Sequence, residues 1–361
     1  MNHNFAIIMA GGLGSRFWPT STSHKPKQFL DVLNTGETLL QQTFRRVSLT
    51  IPKKNILIIT KTDYLNFCLD QLPEINKENI ICEPSRRNTA PCIALAAFKL
   101  KKIDPLANFI VTPADHLVTN ESEFKRIIQL GLSVTAENNI LLTLGISPNK
   151  PETGYGYIQF KKEENSFNTE IKTVKTFTEK PELELAKSFL ETGEFLWNSG
   201  IFIWNANSIL SAFEKHMPEM YSLFEEGWND INSDNEKAFL ETIYPHCPNE
   251  SIDYGILEKS SQVYVLKSDF GWSDLGTFGS IYTHIPKDKK ENALVSNNVI
   301  LYDSSKNIIH SSKDKLIVVD GLNDYIVVDR KNVLLICKKE NEQMIKQYMN
   351  DAKEQKGEDY I

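Results

Sequence analysis

Near the start of the chain three glycines and two cations stand close together: Gly11, Gly12 and Gly14, then Arg16, then Lys27 behind Pro26. Glycines let backbone N–H groups approach an anion and permit a positive φ. The spacing is not G-x-G-x-x-G. Counted from Gly12, the third glycine position is Phe17, and Pro19 and Pro26 keep a helix from following at once, which argues against a dinucleotide loop. No Gly-Lys-Ser/Thr closes it either, so it is not a P-loop. Arg16 and Lys27 suit a triphosphate attacked at its α-phosphate, where leaving group and reacting centre both need positive charge. For a lone Gly-Gly-x-Gly, a solvated turn with idle lysines is the plainer reading.

A second candidate is Asp115 in "TPADH", residues 112–116. A carboxylate there could help hold a divalent ion such as Mg²⁺, which needs few protein ligands; Asp115-His116 reads equally well as a helix cap or a turn. Asn88 and Thr89 stand before a helical stretch from about 90 to 103, with Pro91 in its first turn, and read as caps.

The elements that must position these residues follow from the apolar pattern. Strands are expected at 5–10, 55–60, 79–82, 109–112 and 140–144, and helices at 38–47, 90–103 and 121–135. Near-continuous apolar strands alternating with helices predict a mainly parallel sheet covered on both faces. Such sheets bind ligands beyond the carboxyl ends of their strands, where both the glycine stretch and "TPADH" fall. Residues 150–285 are irregular and aromatic-rich and read as additions to the same domain, one wall of a pocket. From about 292, short β-branched strands separated by Asp, Asn, Ser and Gly indicate a small all-β unit. "NEQMIKQYMNDAKEQK" reads as a helix followed by a frayed tail.

The 361 residues are 41% hydrophobic, enough for a large core and about two domains. A formal charge of -7 disfavours nucleic acid or an anionic membrane as the main partner. No apolar stretch approaches the roughly 18 residues of a membrane helix, and no basic region precedes the first apolar run. Cys68, Cys82, Cys92, Cys247 and Cys337 are odd in number, scattered, and form no C-x-x-C, so neither a disulfide framework nor a zinc site is indicated. A cytoplasmic protein with packing cysteines is the expectation.

"MAGGLGSRFWPTSTSHKPKQF" resembles the signature of the sugar-1-phosphate nucleotidyltransferases, and its Phe-Trp-Pro and Pro-Lys-Gln-Phe wording is similar to the branch acting on GTP and mannose 1-phosphate. "EPSRRNTAPCIAL", "TPADH", "TGYGYI", "FTEKP", "WNSGIFIW", "IDYGILEKS" and "GWSDLGT" extend the resemblance, in family order, over about residues 5–280. Pro19-Thr20 departs from the Pro-Leu of many relatives.

The resemblance implies a Rossmann-like α/β nucleotidyltransferase domain at 1–285, then a β domain at 286–361 that is left-handed and β-helix-like in relatives and aids homodimer formation. It implies a short form without the isomerase domain of longer relatives. The reaction implied is GTP plus mannose 1-phosphate giving GDP-mannose and pyrophosphate, with Arg16 and Lys27 as catalytic cations. Gly11, Gly12, Gly14, Asn88 and Thr89 would bind the nucleotide. Asp274, which alone reads as a turn residue before Gly276, would join Asp115 on Mg²⁺. Gly154, Glu179, Lys180, Asn198 and Asp253 would bind the sugar phosphate, although Glu179-Lys180-Pro181 alone reads as an exposed strand end. Trp197, Phe202, Trp204 and Trp272 are expected in the core. Other base or sugar specificity, or a non-catalytic sugar-nucleotide-binding subunit, are the rival readings.

Overall fold

A computed structural model describes residues 3–163, 168–295, 298–311, 314–330 and 332–361. Contacts divide the chain into two compact units, neither of them continuous in sequence. One comprises Met1–Gly11, Phe44–Pro113 and Val118–Trp272; the other comprises Gly12–Thr43, Ala114–Leu117 and Ser273–Ile361.

The first unit is built on nine strands: β1 (Asn4–Met9), β2 (Ile56–Lys61), β3 (Ile80–Glu83), β4 (Asn108–Pro113), β5 (Leu141–Ile146), β6 (Gly156–Phe160), β7 (Ile171–Glu179), β8 (Phe195–Asn205) and β9 (Val263–Ser268). Their order is β3-β2-β1-β4-β8-β5-β9-β7-β6. The first four are parallel, with Ile7 beside Leu57 on one side and Val111 on the other. These strands are isoleucine- and valine-rich and buried on both faces, as a parallel sheet between helices requires. Beyond them β5 and β9 are parallel, while β6, β7 and β8 run antiparallel to their neighbours. The 11-residue β8 also pairs with β6, closing β5, β9, β7, β6 and β8 into a ring. Ile158, Leu196 and Val265 fill it. A Cβ on Gly145 would lie 2.6 Å from both Leu196 and Val265, so only glycine fits that wall.

The helices Thr89–Ile103 and Glu121–Glu137 begin and end within two residues of expectation. The helix Leu65–Gln71, two turns long, is too short for its period to stand out in the sequence. Phe202 and Trp204 lie in the core, and Trp197 is buried, as expected; Trp272 is half-buried.

The second unit contains β10 (Ala293–Leu294), β11 (Val299–Tyr302), β12 (Ile308–His310), β13 (Ile317–Asp320), β14 (Tyr325–Arg330) and β15 (Val333–Lys338). β10, β12 and β14 stack in parallel, Ala293 on Ile308 and Ile308 on Ile326, and β11 pairs in parallel with β13. Parallel strands repeating from coil to coil make a β-helix, and β15 closes it in antiparallel fashion. The core of this unit joins Phe17, Trp18, Val32, Leu39 and Leu117 to Phe278, Ile308, Ile326 and Ile345. The end of the chain is not frayed. After the helix Ile345–Lys356, Glu358–Tyr360 forms a 3₁₀ turn whose Tyr360 carbonyl accepts the Trp18 indole N–H at 2.6 Å. An indole N–H needs such a partner when buried, and the tail supplies it.

Candidate active site

In the second unit the glycine stretch folds over Lys27. Gly14 has φ +61°, and a Cβ there would sit 2.7 Å from Lys27 Cβ, so both conformation and space demand glycine. Gln28 Nε2 donates to the Gly12 carbonyl at 3.0 Å and Ser21 Oγ to the Leu13 carbonyl at 2.8 Å, fixing the loop. Arg16 lies half-buried in the 3₁₀ turn Ser15–Phe17, and its guanidinium makes no hydrogen bond or ion pair among the described residues.

The Lys27 ammonium is buried. It donates to the carbonyls of Asp274 (2.8 Å) and Leu275 (3.1 Å) and pairs with Asp115 Oδ2 at 2.9 Å. Burial would raise the Asp115 carboxyl, but the Lys27 and His116 charges outweigh it and hold it below its ordinary value. His116 Nε2 lies 3.9 Å from Asp115 Oδ1. Asp274 Oδ1 accepts from the Gly276 N–H at 2.8 Å. Lys27 thus touches the Asp115 carboxylate and the backbone of the turn that carries Asp274. Asp115 and Asp274 offer carboxylate oxygens, the donor type Mg²⁺ prefers, and Mg²⁺ needs few protein ligands beside phosphate oxygens and water. Among the described residues no group of three or more His, Cys, Asp or Glu forms a fuller cage.

In the first unit a second cluster joins the end of one strand, the middle of another and a helical turn. Glu179 ends β7, Asn198 lies in β8, and Asp253 opens a short π-helical turn, Asp253–Leu257. Asn198 Nδ2 donates to Asp253 Oδ1 at 2.7 Å, while Thr143 Oγ1 donates to Asn198 Oδ1 at 3.1 Å, which fixes the amide's orientation. Burial first, then the Glu179 charge, pushes Asp253 up to about 6; the Asn198 hydrogen bond opposes this. Lys180 is exposed, at φ +48°, and its ammonium pairs with Glu179 Oε1 at 2.6 Å. Gly154, expected to let backbone approach a ligand, would meet only Glu152 Oε1 at 3.4 Å if it bore a Cβ. The demanding glycine is Gly156, paired with Glu179 across the sheet, where a Cβ would lie 2.4 Å from Glu179 Oε2. Tyr155 stands edge-on to Trp197 and Trp272, with centroids 5.1 and 5.3 Å away.

The turn before the helix Thr89–Ile103 does more than cap. Asn88 is exposed at φ +66°, ψ −163°, a region nearly reserved for glycine. Its Oδ1 accepts from the adjacent Thr89 N–H, at 3.0 Å. The Thr89 hydroxyl accepts from the Ile252 N–H at 2.9 Å, tying this turn to the segment that carries Asp253. Arg87 donates to the Pro245 carbonyl at 2.8 Å and is thereby committed to the protein.

Sequence reasoning missed Glu83. It ends β3, accepts from Tyr244 Oη at 3.1 Å, and faces Gly11, whose missing Cβ would lie 3.8 Å from Oε2. Burial lifts its carboxyl to about 7, against the Tyr244 hydrogen bond and the Arg86 charge. An acidic residue closing the apolar run "NIICE", just before Pro84, was the available signal.

The profile of the family described as "Nucleotidyl transferase" matches residues 5–291, and that of the "MannoseP isomerase/GMP-like beta-helix domain" matches 297–351. A mannose-1-phosphate guanylyltransferase of Escherichia coli is 34% identical over 311 residues, which are 84% of this chain and 66% of that protein. One of Klebsiella pneumoniae is 36% identical over 312 residues, 84% of this chain and 64% of that protein. The match thus spans slightly under two thirds of these relatives' length. The crystal structure of a mannose-1-phosphate geranyltransferase from Thermus thermophilus is similar at TM-score 0.87 and 25% identity, over 97% of this chain and 99% of that one. With the profile covering most of its length, this chain belongs to the nucleotidyl transferase family.

Proposed function

We propose that this chain transfers GMP from GTP to α-D-mannose 1-phosphate, giving GDP-mannose and pyrophosphate. The observation that carries the reading is the gathering of Asp115 and the Asp274–Leu275 turn around one buried lysine, beside a glycine loop bearing an uncommitted arginine. It also draws on the names of the bacterial relatives.

The sugar phosphate is an anionic nucleophile at neutral pH, so no protein base is needed, and catalysis reduces to positioning and charge neutralisation. Arg16 supplies charge to the triphosphate, with the N–H groups of Gly11, Gly12 and Gly14 around it. Asn88 and Thr89 shape the base site. Glu83, ionised, accepts from the N1–H and N2–H₂ donors that guanine presents and adenine lacks. Asp115 and Asp274 would hold Mg²⁺, which when bound would neutralise phosphate oxygens. Glu179, Asn198 and Asp253 meet sugar hydroxyls, Gly156 leaves Glu179 its room, and Gly154 and Lys180 flank the sugar phosphate.

A turnover panel of four nucleoside triphosphates against several sugar 1-phosphates tests the reading. GTP with mannose 1-phosphate should lead by at least about tenfold in kcat/KM, about 1.4 kcal/mol. Preference for another base or sugar reassigns the enzyme, and ligand binding with no pyrophosphate released makes it a non-catalytic binder. Asp115→Asn should lower kcat by about a hundredfold or more, and should also lower Tm, because it leaves the buried Lys27 ammonium without its counter-charge.

We take 1–285 as the transferase segment and 286–361 as the β-helical one, in a cytoplasmic homodimer with neither nucleic acid nor membrane as partner. Among the described residues no helix is long and apolar enough to cross a membrane. Support for the dimer comes from the outer faces of β11 and β13, where Ile300, Tyr302 and Val318 are 43–58% exposed and Ile300 pairs with Val318.

A further inference from the structure

Two hydroxyl groups lie fully buried in the middle of the sheet, Thr143 in β5 and Ser199 in β8. The two strands fall out of step there. Thr143 pairs with Phe202 and Gly145 with Asn198, so Leu144 alone faces Ser199, Gly200 and Ile201. Such a bulge takes backbone groups out of the ladder and re-aims the side chains beside it. Gly200 turns the chain at φ +69°, and side chains close the gap. Ser199 Oγ donates to the Leu144 carbonyl at 2.7 Å and accepts from the Ile201 N–H at 3.2 Å. Asn198 Oδ1 accepts from the Gly200 N–H at 3.3 Å. Thr143 Oγ1 supplies that oxygen with its second donor, at 3.1 Å; the Ile201 carbonyl lies farther from the hydroxyl, at 3.4 Å.

An amide oxygen has two lone pairs, and both of those on Asn198 are thereby taken up inside the protein. The NH₂ end is what the residue has left. One of its hydrogens goes to Asp253 Oδ1 at 2.7 Å, and the other is available to a ligand. With its ends exchanged, the amide would set oxygen against the Asp253 carboxylate. We propose that Thr143 is a positioning residue for the sugar: by occupying the Asn198 oxygen it holds the NH₂ end toward Asp253. Asn198 and Asp253 then offer neighbouring sugar hydroxyls one donor and one acceptor in a fixed order. The proposal rests on the sugar reading given above. Thr143 touches no substrate itself. Without its hydroxyl, Asn198 Oδ1 keeps only the Gly200 N–H, and the amide is free to rock.

The test is a double-mutant cycle on the KM for mannose 1-phosphate, at saturating GTP and at pH 8, where Asp253 is ionised. Calorimetry with GDP-mannose, against GDP as control, serves for variants that turn over too slowly. Thr143→Val exchanges the hydroxyl for a methyl group. It should raise the KM for mannose 1-phosphate at least about threefold, within the range that one neutral hydrogen bond supports. The KM for GTP should stay within about twofold, and Thr143→Ser, which keeps the hydroxyl, should stay within about twofold of the native chain for both substrates. In an Asn198→Ala background Thr143→Val should add less than about twofold, because a residue acting only through the amide has nothing left to act on. A smaller rise in the single variant overturns the proposal, as does an undiminished effect in the Asn198→Ala background. Equal losses for GTP and the sugar phosphate also overturn it, since they mark a strand merely loosened. Asn198→Ala by itself judges the underlying reading. If it leaves the KM for mannose 1-phosphate unchanged, Asn198 does not meet the sugar. If it raises that KM while Thr143→Val does not, only the role of Thr143 fails. Should Thr143→Val not fold, Thr143→Ala takes its place with the same outcomes expected. Failure of both to fold overturns the proposal, because the hydroxyl would then serve the sheet and not the amide.

Discussion

Glu83 and Asp253 hold their protons well above the pH at which carboxylates ordinarily lose them, and this has consequences at the scale of single residues. For Glu83 the folded value is about 7 against an ordinary 4.5. A raised folded value favours the fold below the unfolded value, and that contribution disappears as pH rises through about 7. The native chain therefore bears a buried charge at pH 8. Glu83→Gln should raise stability at pH 8 by about 1 kcal/mol, discounted for partial exposure, and the gain should shrink as pH approaches 4.5. Equal Tm shifts at both pH values would mean that the carboxylate is not desolvated as described. If Glu83 reads the base as proposed, the same substitution should lower kcat/KM for GTP by about tenfold or more while sparing the KM for mannose 1-phosphate, because it removes one of the carboxylate's two acceptors.

At the scale of elements, strands and the turns that follow them position the candidate site residues. The apolar runs of β1 to β5 were legible to within two residues because isoleucine- and valine-rich stretches bounded by polar turns have few other uses. Asp115 and Asp253 were legible as motif members, but their partners were not. Lys27 meets the Asp274 carbonyl across 247 positions, a pairing that no local pattern encodes. Likewise the sequence reading chose Gly154, and only the pairing of β6 with β7 makes Gly156 the one lying under Glu179. Gly156→Ala should push Glu179 aside, raising KM for mannose 1-phosphate about tenfold with Tm changed by roughly 2 °C or less, since no positive φ is at stake. An unaltered KM would detach Glu179 from the sugar.

For the whole molecule, the β-helical segment carries apolar side chains that a monomer leaves wet. Ile300→Glu with Val318→Glu should give a monomer by analytical ultracentrifugation at micromolar concentration, with the transferase fold intact by circular dichroism; a dimer that persists would move the interface elsewhere. The sequence read this segment as a unit of its own. What it did not reveal is that Phe17, Trp18, Val32 and Leu39 pack in one core with Phe278, Ile308, Ile326 and Ile345. That shared core bears on how the protein is born. The signature loop leaves the ribosome early, yet most of the residues it must pack against emerge only after position 273. During most of translation, then, the loop and Lys27 are without their scaffold, and nucleotide chemistry must wait for the last quarter of the polypeptide. Nascent chains arrested before that point should be open to protease between residues 12 and 43, and full-length ones closed.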